Sequence, residues 1–213
     1  MAGRVTSLEP QKRSKERVNV YVDGEFAFGL SRLVAANLRI GALLTDDKVA
    51  ELKSADGLER AHSRALDYLS YRPRSEVELR DYLREKEYSE DVVEDVLARL
   101  ARVGLVDDVE FARYWIDNRA RFRPRGSRML SYELRQKGIA SEIIDEALGE
   151  YDELSAVRRV AQEQARRLRN LPPNQFRRRL FDRLARRGFS SGLIREILSE
   201  QDFSQLIDAN EED

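Results

Sequence analysis

Arginine carries most of the chemistry this chain offers. From Arg119 to Lys137 there are seven basic residues (Arg119, Arg121, Arg123, Arg125, Arg128, Arg135 and Lys137) against one acid, Glu133. Four of them, Arg121, Arg123, Arg125 and Arg128, surround a Pro124–Gly126 turn. From Arg158 to Arg187 eleven arginines stand against Glu163 and Asp182. There Phe176, Leu180 and Leu184 recur at four-residue spacing, the stripe of a helix that faces its neighbours. Arg178, Arg179, Arg183, Arg186 and Arg187 lie off that stripe as a dense cationic edge. A guanidinium is permanently charged and presents paired N–H donors to phosphate or carboxylate oxygens. Phosphates or an acidic protein surface would therefore suit these clusters; a merely solvated basic face is the plain alternative. The net charge is only -1, because Glu76 to Glu110 holds twelve acids and five bases, and Glu196 to Asp213 holds seven acids and no base. Segregation of this kind disfavours a uniformly basic nucleic-acid binder and favours a protein with faces of opposite sign.

Catalysis finds little support. His62 is the only histidine and there is no cysteine, which removes histidine-rich and thiolate metal sites and any disulfide framework. Neither a Walker-type phosphate loop nor a glycine-rich dinucleotide fingerprint is present. Asp107-Asp108 reads as a helix start rather than an acid–base pair, and no short carboxylate spacing nominates a two-metal nuclease. The expectation is a non-enzyme without cofactor or metal. Tyr114 and Trp115 have faces that could stack on bases, but core packing is the expected role of Trp115. Tyr71 and Phe122, each ahead of an Arg-Pro dipeptide, are expected to pack those turns onto the preceding helix.

The elements that must position these residues are repeated. LRDYLREKEYSEDVVEDVL (Leu79–Leu97), LSYELRQKGIASEIIDEAL (Leu130–Leu148) and LFDRLARRGFSSGLIREIL (Leu180–Leu198) are three copies of one helical phrase, offset by fifty-one and then fifty residues. Leu79, Leu130 and Leu180 share one slot, Leu83, Leu134 and Leu184 another, and Tyr88, Ile139 and Phe189 a third. Ser75 with Glu78, and Asp107 with Glu110, have capping-box spacing, and Ser89 is a further cap. Gly138 and Gly188 stand where a helix must stop; Glu87 stands there in the first copy, which predicts a blunter or frayed turn. The phrases are too short and too broken by Pro and Gly for a coiled coil.

The N-terminal part differs. VNVYV (Val18–Val22) and EFAF (Glu25–Phe28) alternate with period two across Asp23-Gly24, a type I′ hairpin signal, with a third strand expected around Arg4 to Leu8. Ser31 and Thr45 are expected to cap short helices, and Gly57 to end this α+β module. The predicted fold is mainly α: a small hairpin module over 1–57, three-helix repeats over 58–103, 104–153 and 154–203, and an acidic tail over 204–213. No leader-like or membrane-length apolar run occurs, so a cytoplasmic protein with no membrane partner, monomeric when free, is expected.

The stretch GLVDDVEFARYWIDNRARFRPRGSRMLSYELRQKGI, Gly104 to Ile139, resembles the signature of the bacterial RecX regulatory proteins. The resemblance runs through all three helical units, and the N-terminal module is similar to that of longer members. Signature positions carried over are Asp107, Asp108, Phe111, Ala112, Arg113, Arg119, Pro124, Gly126, Leu130, Glu133, Leu134, Arg135, Lys137 and Gly138, most of them caps, turns and core leucines. The acidic tail and Glu87 depart from the pattern. The resemblance implies a curved rod of tandem three-helix repeats that lies in the groove of a RecA–DNA filament. It also implies inhibition of filament extension, ATP hydrolysis and strand exchange, and through them of damage signalling. RecA is thus the implied partner, with single- or double-stranded DNA as a possible second one. An independent DNA-binding module is the alternative reading.

Overall fold

In the computed structural model, residues 3–12 and 14–199 are described. The hairpin signal is fulfilled: β2 (Ser14–Val22) and β3 (Glu25–Ser31) pair antiparallel, with Val22 opposite Glu25 and Val20 opposite Phe28. Asp23 (φ 51°) and Gly24 (φ 88°) both take the left-handed conformations that a type I′ turn demands. β1 (Gly3–Gln11) lies on the other side of β2, and the two-residue β4 (Leu43–Leu44) completes a sheet of order β3-β2-β1-β4. Ser31 caps α1 (Arg32–Ala35) by accepting from Val34 N, and Thr45 caps α2 (Asp46–Ser70) by accepting from Lys48 N.

Gly57 does not end a helix, contrary to the sequence expectation. α2 runs through it for 25 residues, burying Leu52 and Asp56 before the glycine and Ala61 and Ala65 after it. An interior glycine costs about 1 kcal/mol relative to alanine, which the packing on either side offsets. Buried Asp56 accepts from Ser31 N at 2.5 Å and pairs with Arg17 at 3.2 Å, which ties α2 to the sheet. The helices that follow are α3 (Glu76–Glu85), α4 (Glu90–Arg102), α5 (Asp108–Phe122), α6 (Ser127–Gln136), α7 (Ser141–Gly149), α8 (Glu153–Leu168), α9 (Pro173–Arg186) and α10 (Ser191–Ser199). Three-helix groups therefore recur as α2–α4, α5–α7 and α8–α10, each with its own apolar core, and a fourth core lies under the sheet. The chain groups into two compact units, residues 3–74 with 79–106, and residues 75–78 with 107–199.

Each three-helix group turns its second helix into its third in the same way. Tyr88 N donates to Leu83 O (3.3 Å), Ile139 N to Leu134 O (3.1 Å) and Phe189 N to Leu184 O (3.4 Å). The residue before each donor has positive φ: Glu87 62°, Gly138 79° and Gly188 92°. This is a Schellman stop, and it forms in full in the first copy, so the expected blunter turn is not found. Glu87 is exposed and meets only the φ requirement. Gly138 and Gly188 meet a second one: a Cβ at Gly138 would lie 2.3 Å from Val77 Cγ2, and one at Gly188 would lie 2.5 Å from Met129 Cβ.

Those close approaches belong to a joint made twice inside the second unit. Ser75, ahead of α3, donates its hydroxyl to Lys137 O (2.7 Å) and accepts from Glu78 N (3.2 Å). At the matching position Gly126 donates its backbone N–H to Arg187 O (2.9 Å). A Cβ on Gly126 would fall 2.2 Å from Gly188 O, so only glycine allows this direct backbone contact. The turn before α6 is held further by buried Pro124 and by Tyr151 Oη, which donates to Arg125 O at 2.9 Å.

Glu87→Gly is expected to raise stability by about 1 kcal/mol by removing left-handed strain, whereas Gly138→Ala should lower it by about 2 kcal/mol or more from φ and contact together; chemical denaturation of both variants checks the opposite signs. Burial pushes the Tyr151 phenol up to about 12. Its native form therefore holds a proton that the unfolded chain releases near pH 10, and stability that is complete below pH 10 is lost as pH rises toward 12. Tyr151→Phe should show a smaller loss over that window; equal alkaline slopes for the two proteins would remove Tyr151 as the source.

Candidate partner interface

The basic residues divide by what the fold already does with them. Around Trp115 the arrangement is internal. Its Nε1 donates to Glu133 (2.9 Å), Arg119 Nε donates to the same carboxylate (2.7 Å), and Arg125 Nε lies 3.9 Å from it. Arg119 stacks on the indole face at 4.4 Å and Lys137 approaches it at 5.3 Å, while Lys137 also pairs with Glu78. Trp115 is half-buried against Phe111 and the second core, so packing is its role here. Arg119 and Arg125 are thereby used inside the second repeat, and Lys137 in joining it to the segment that carries Glu78.

Further candidates are partly engaged. Arg121 pairs with Asp117 (2.9 Å) on the exposed face of α5, an arrangement worth only a few tenths of a kcal/mol, about 0.3–0.5. Arg183 donates to buried Gln164 (2.9 Å), and Arg186 Nε donates to Asp182 O (3.2 Å). Arg187 is half-buried beside its own joint. Arg123, Arg128, Arg135, Arg178 and Arg179 are exposed and pair with no carboxylate among the described residues. They are the cations of the two clusters that remain open to a partner.

The other signature positions are architectural. Asp107 caps α5 by accepting from Val109 N (2.8 Å) and Glu110 N (3.1 Å). Asp108 accepts from Glu76 N (2.9 Å), and burial raises its carboxyl above the usual carboxylate range. Phe111, Ala112, Leu130 and Leu134 are core. Arg113 pairs with Glu110, Glu146 and Glu150, and this cage favours its charged form.

Two features escape sequence reasoning. Arg195 of α10 joins Arg177 and Arg178 of α9 around a cavity of ≈ 440 Å³ with Phe181 and Leu198 in its lining, a juxtaposition of helices that no local spacing encodes. A groove of ≈ 580 Å³ lies where α5, α7 and α8 meet, with Arg113, Arg121 and Arg159 facing Asp117, Glu150 and Asp152. Arg159 also donates to Ala120 O. Tyr71 and Phe122 do not pack onto their helices as expected; they are 83% and 75% exposed. No trio of histidine, aspartate and glutamate suited to a metal occurs among the described residues, and no helix there is long and apolar enough to cross a membrane. His62 is pushed below its ordinary range by burial and by Arg99. The acidic tail lies outside the described residues.

Four family models match along the chain: "Regulatory protein RecX N-terminal domain" over residues 3–45, and the first, second and third RecX three-helix domains over 61–100, 107–148 and 150–198. The regulatory protein RecX of Bacillus licheniformis is 32% identical over 204 residues, covering 93% of this chain and 78% of that protein. That of Levilactobacillus brevis is 35% identical over 205 residues, covering 94% and 77%. A crystal structure of regulatory protein RecX superposes with a TM-score of 0.76 at 32% identity, covering 93% of this chain and all of the other. The RecX crystal structure from Lactobacillus salivarius gives 0.63 at 25% identity, covering 71% and 99%. With matched domains, relatives and solved structures in agreement along its length, the chain belongs to the RecX family of regulatory proteins.

Proposed function

We propose that this protein is a non-catalytic, cytoplasmic negative regulator of the RecA recombinase. It binds in the groove of the RecA–DNA filament and restrains filament extension, ATP hydrolysis and strand exchange, and with them recombination and damage signalling. Family membership is the observation that carries the reading. The physical case beside it is modularity: several small units on one chain engage successive protomers, so that modest contacts gain from high effective concentration. The division into a hairpin module, repeats changing near residues 103 and 153, and an acidic tail belongs to this proposal, with the first boundary inside α2 rather than at its end. The open arginines, Arg123, Arg128, Arg135, Arg178 and Arg179, are assigned to filament or DNA contact; Arg119, Arg125 and Lys137 are assigned to the fold.

A saturating amount of the protein should suppress DNA-stimulated RecA ATPase while having no ATPase of its own; unchanged assembly, turnover and strand exchange would sink the proposal. Arg178→Glu with Arg179→Glu should weaken filament binding with helicity retained, since neither side chain holds the core. The exposed arginines also favour a second reading, direct binding to DNA. In that case affinity for single strands without recombinase should fall with salt at a log–log slope of about -3.5, for about five phosphate contacts. A slope near -8 would instead engage all twelve basic candidates, which their internal partners oppose.

A further inference from the structure

The two most exposed of the large hydrophobic side chains, among the described residues, are Tyr71 (83%) and Phe122 (75%). They are the same residue of the repeat, fifty-one positions apart, and each opens the string aromatic-Arg-Pro-Arg. A lone exposed apolar residue needs no explanation. Repetition of an exposed ring within one chain does need one, because outward positions close by are free to differ: Asp81 corresponds to Tyr132 and Glu85 to Gln136. The third copy has Leu171-Pro172-Pro173 at the corresponding stretch, with Leu171 packed against the core.

The turns themselves do not require these rings. In the second copy, Pro124 is buried and Tyr151 holds Arg125 O. In the first, Arg74 covers the face of Tyr68 at 3.8 Å, and that ring stacks on Tyr82 at 4.1 Å. The second arginine of each string is thus turned inward, and an aromatic ring is left projecting into solvent. Most of each ring's surface stays in solvent.

We propose that Tyr71 and Phe122 are equivalent anchors for a polymeric protein partner, each ring entering the same apolar pocket on a different subunit of that polymer. The inference rests on the filament reading and names residues that carry it. The charge beyond the shared string differs between the two copies, which favours a protein pocket that takes the ring over a uniformly charged nucleic acid. Each ring is followed by the two arginines of its own string; beyond it Tyr71 leads into the acid-rich Glu76–Glu110 segment, whereas Phe122 lies between Arg119 and Arg121 on one side and Arg128 and Arg135 on the other. A partner recognised in both settings reads the ring rather than the field. Buried aromatic anchors of this kind dominate protein interfaces.

The test measures the full chain binding to nucleotide-bound RecA filament and, separately, to the same single-stranded DNA without RecA. Tyr71→Ser and Phe122→Ser should each weaken filament affinity by about ten-fold or more, chiefly through faster dissociation, and the double variant more than either. Melting temperature and naked-DNA binding should not change. Tyr71→Phe and Phe122→Tyr, which keep a ring, should retain wild-type affinity, as should Ile40→Ser, a 68% exposed apolar residue outside the repeats. Wild-type affinity in the serine variants overturns the proposal, as does an equal loss in Ile40→Ser. A parallel loss of naked-DNA binding also overturns it, in favour of base stacking. A wild-type chain that does not bind the filament brings down the filament reading first, and this inference with it.

Discussion

The helix-stop turn is the constraint on which the rest of the helical structure depends. A backbone N–H reaching back to the carbonyl of Leu83, Leu134 or Leu184 ends one helix, and the left-handed residue before it redirects the chain so that Tyr88, Ile139 or Phe189 enters the core. At Gly138 and Gly188 the same turn leaves no side chain outside, which allows a neighbouring cap to come within contact of the backbone. One local conformation therefore closes each core and, in the second unit, makes the joint between helices of successive copies. At Glu87 only closure is asked for, so a residue with a Cβ is tolerated at a cost of about 1–2 kcal/mol.

Around this constant backbone the side-chain pairs are exchanged as sets. Tyr68 stacked on Tyr82 in the first copy corresponds position for position to Arg119 paired with Glu133 in the second. Arg99 paired with Glu59, with His62 nearby, corresponds to Glu150, Glu110 and the Arg113 between them. Each exchange keeps a contact between the same two helices while changing its chemistry, even its sign. Charge in this chain is consequently two populations: ions that replace apolar contacts inside a repeat, and ions that face outward.

The sequence made the first level of this organisation legible because it is local. Period-two alternation about Asp23-Gly24, the caps at Ser31, Thr45 and Asp107, and the repeated leucine slots all depend on neighbours within a turn or two. Gly57 misled because helix breaking is a local preference, and packing of Leu52, Asp56, Ala61 and Ala65 along α2 overrides it. Glu87 misled in the same way, since the hydrogen bond to Leu83 O and the burial around Tyr88 outweigh the strain at one residue. The candidate contacts were legible only as a cluster of charge. Which arginines are already committed depends on Glu133, Glu78 and Gln164, residues fourteen to fifty-nine positions distant, and no spacing rule reaches that far.

That separation bears on how a repeat scaffold acquires a partner surface. A slot that packs between helices can change chemistry only together with the residue it faces, as the Tyr68–Tyr82 and Arg119–Glu133 sets do. An exposed residue has no such companion, so the default for it is divergence, as at Asp81 and Tyr132. An exposed ring kept in two copies, as at Tyr71 and Phe122, is on the proposed reading held by a partner outside the repeat. Arg123, Arg128 and Arg135, with no internal carboxylate, mark where the field is open; the aromatic-Arg-Pro-Arg strings mark where a shape is kept. Open charge can vary from copy to copy and still attract one partner, whereas a projecting ring keeps its value only if the opposing pocket recurs.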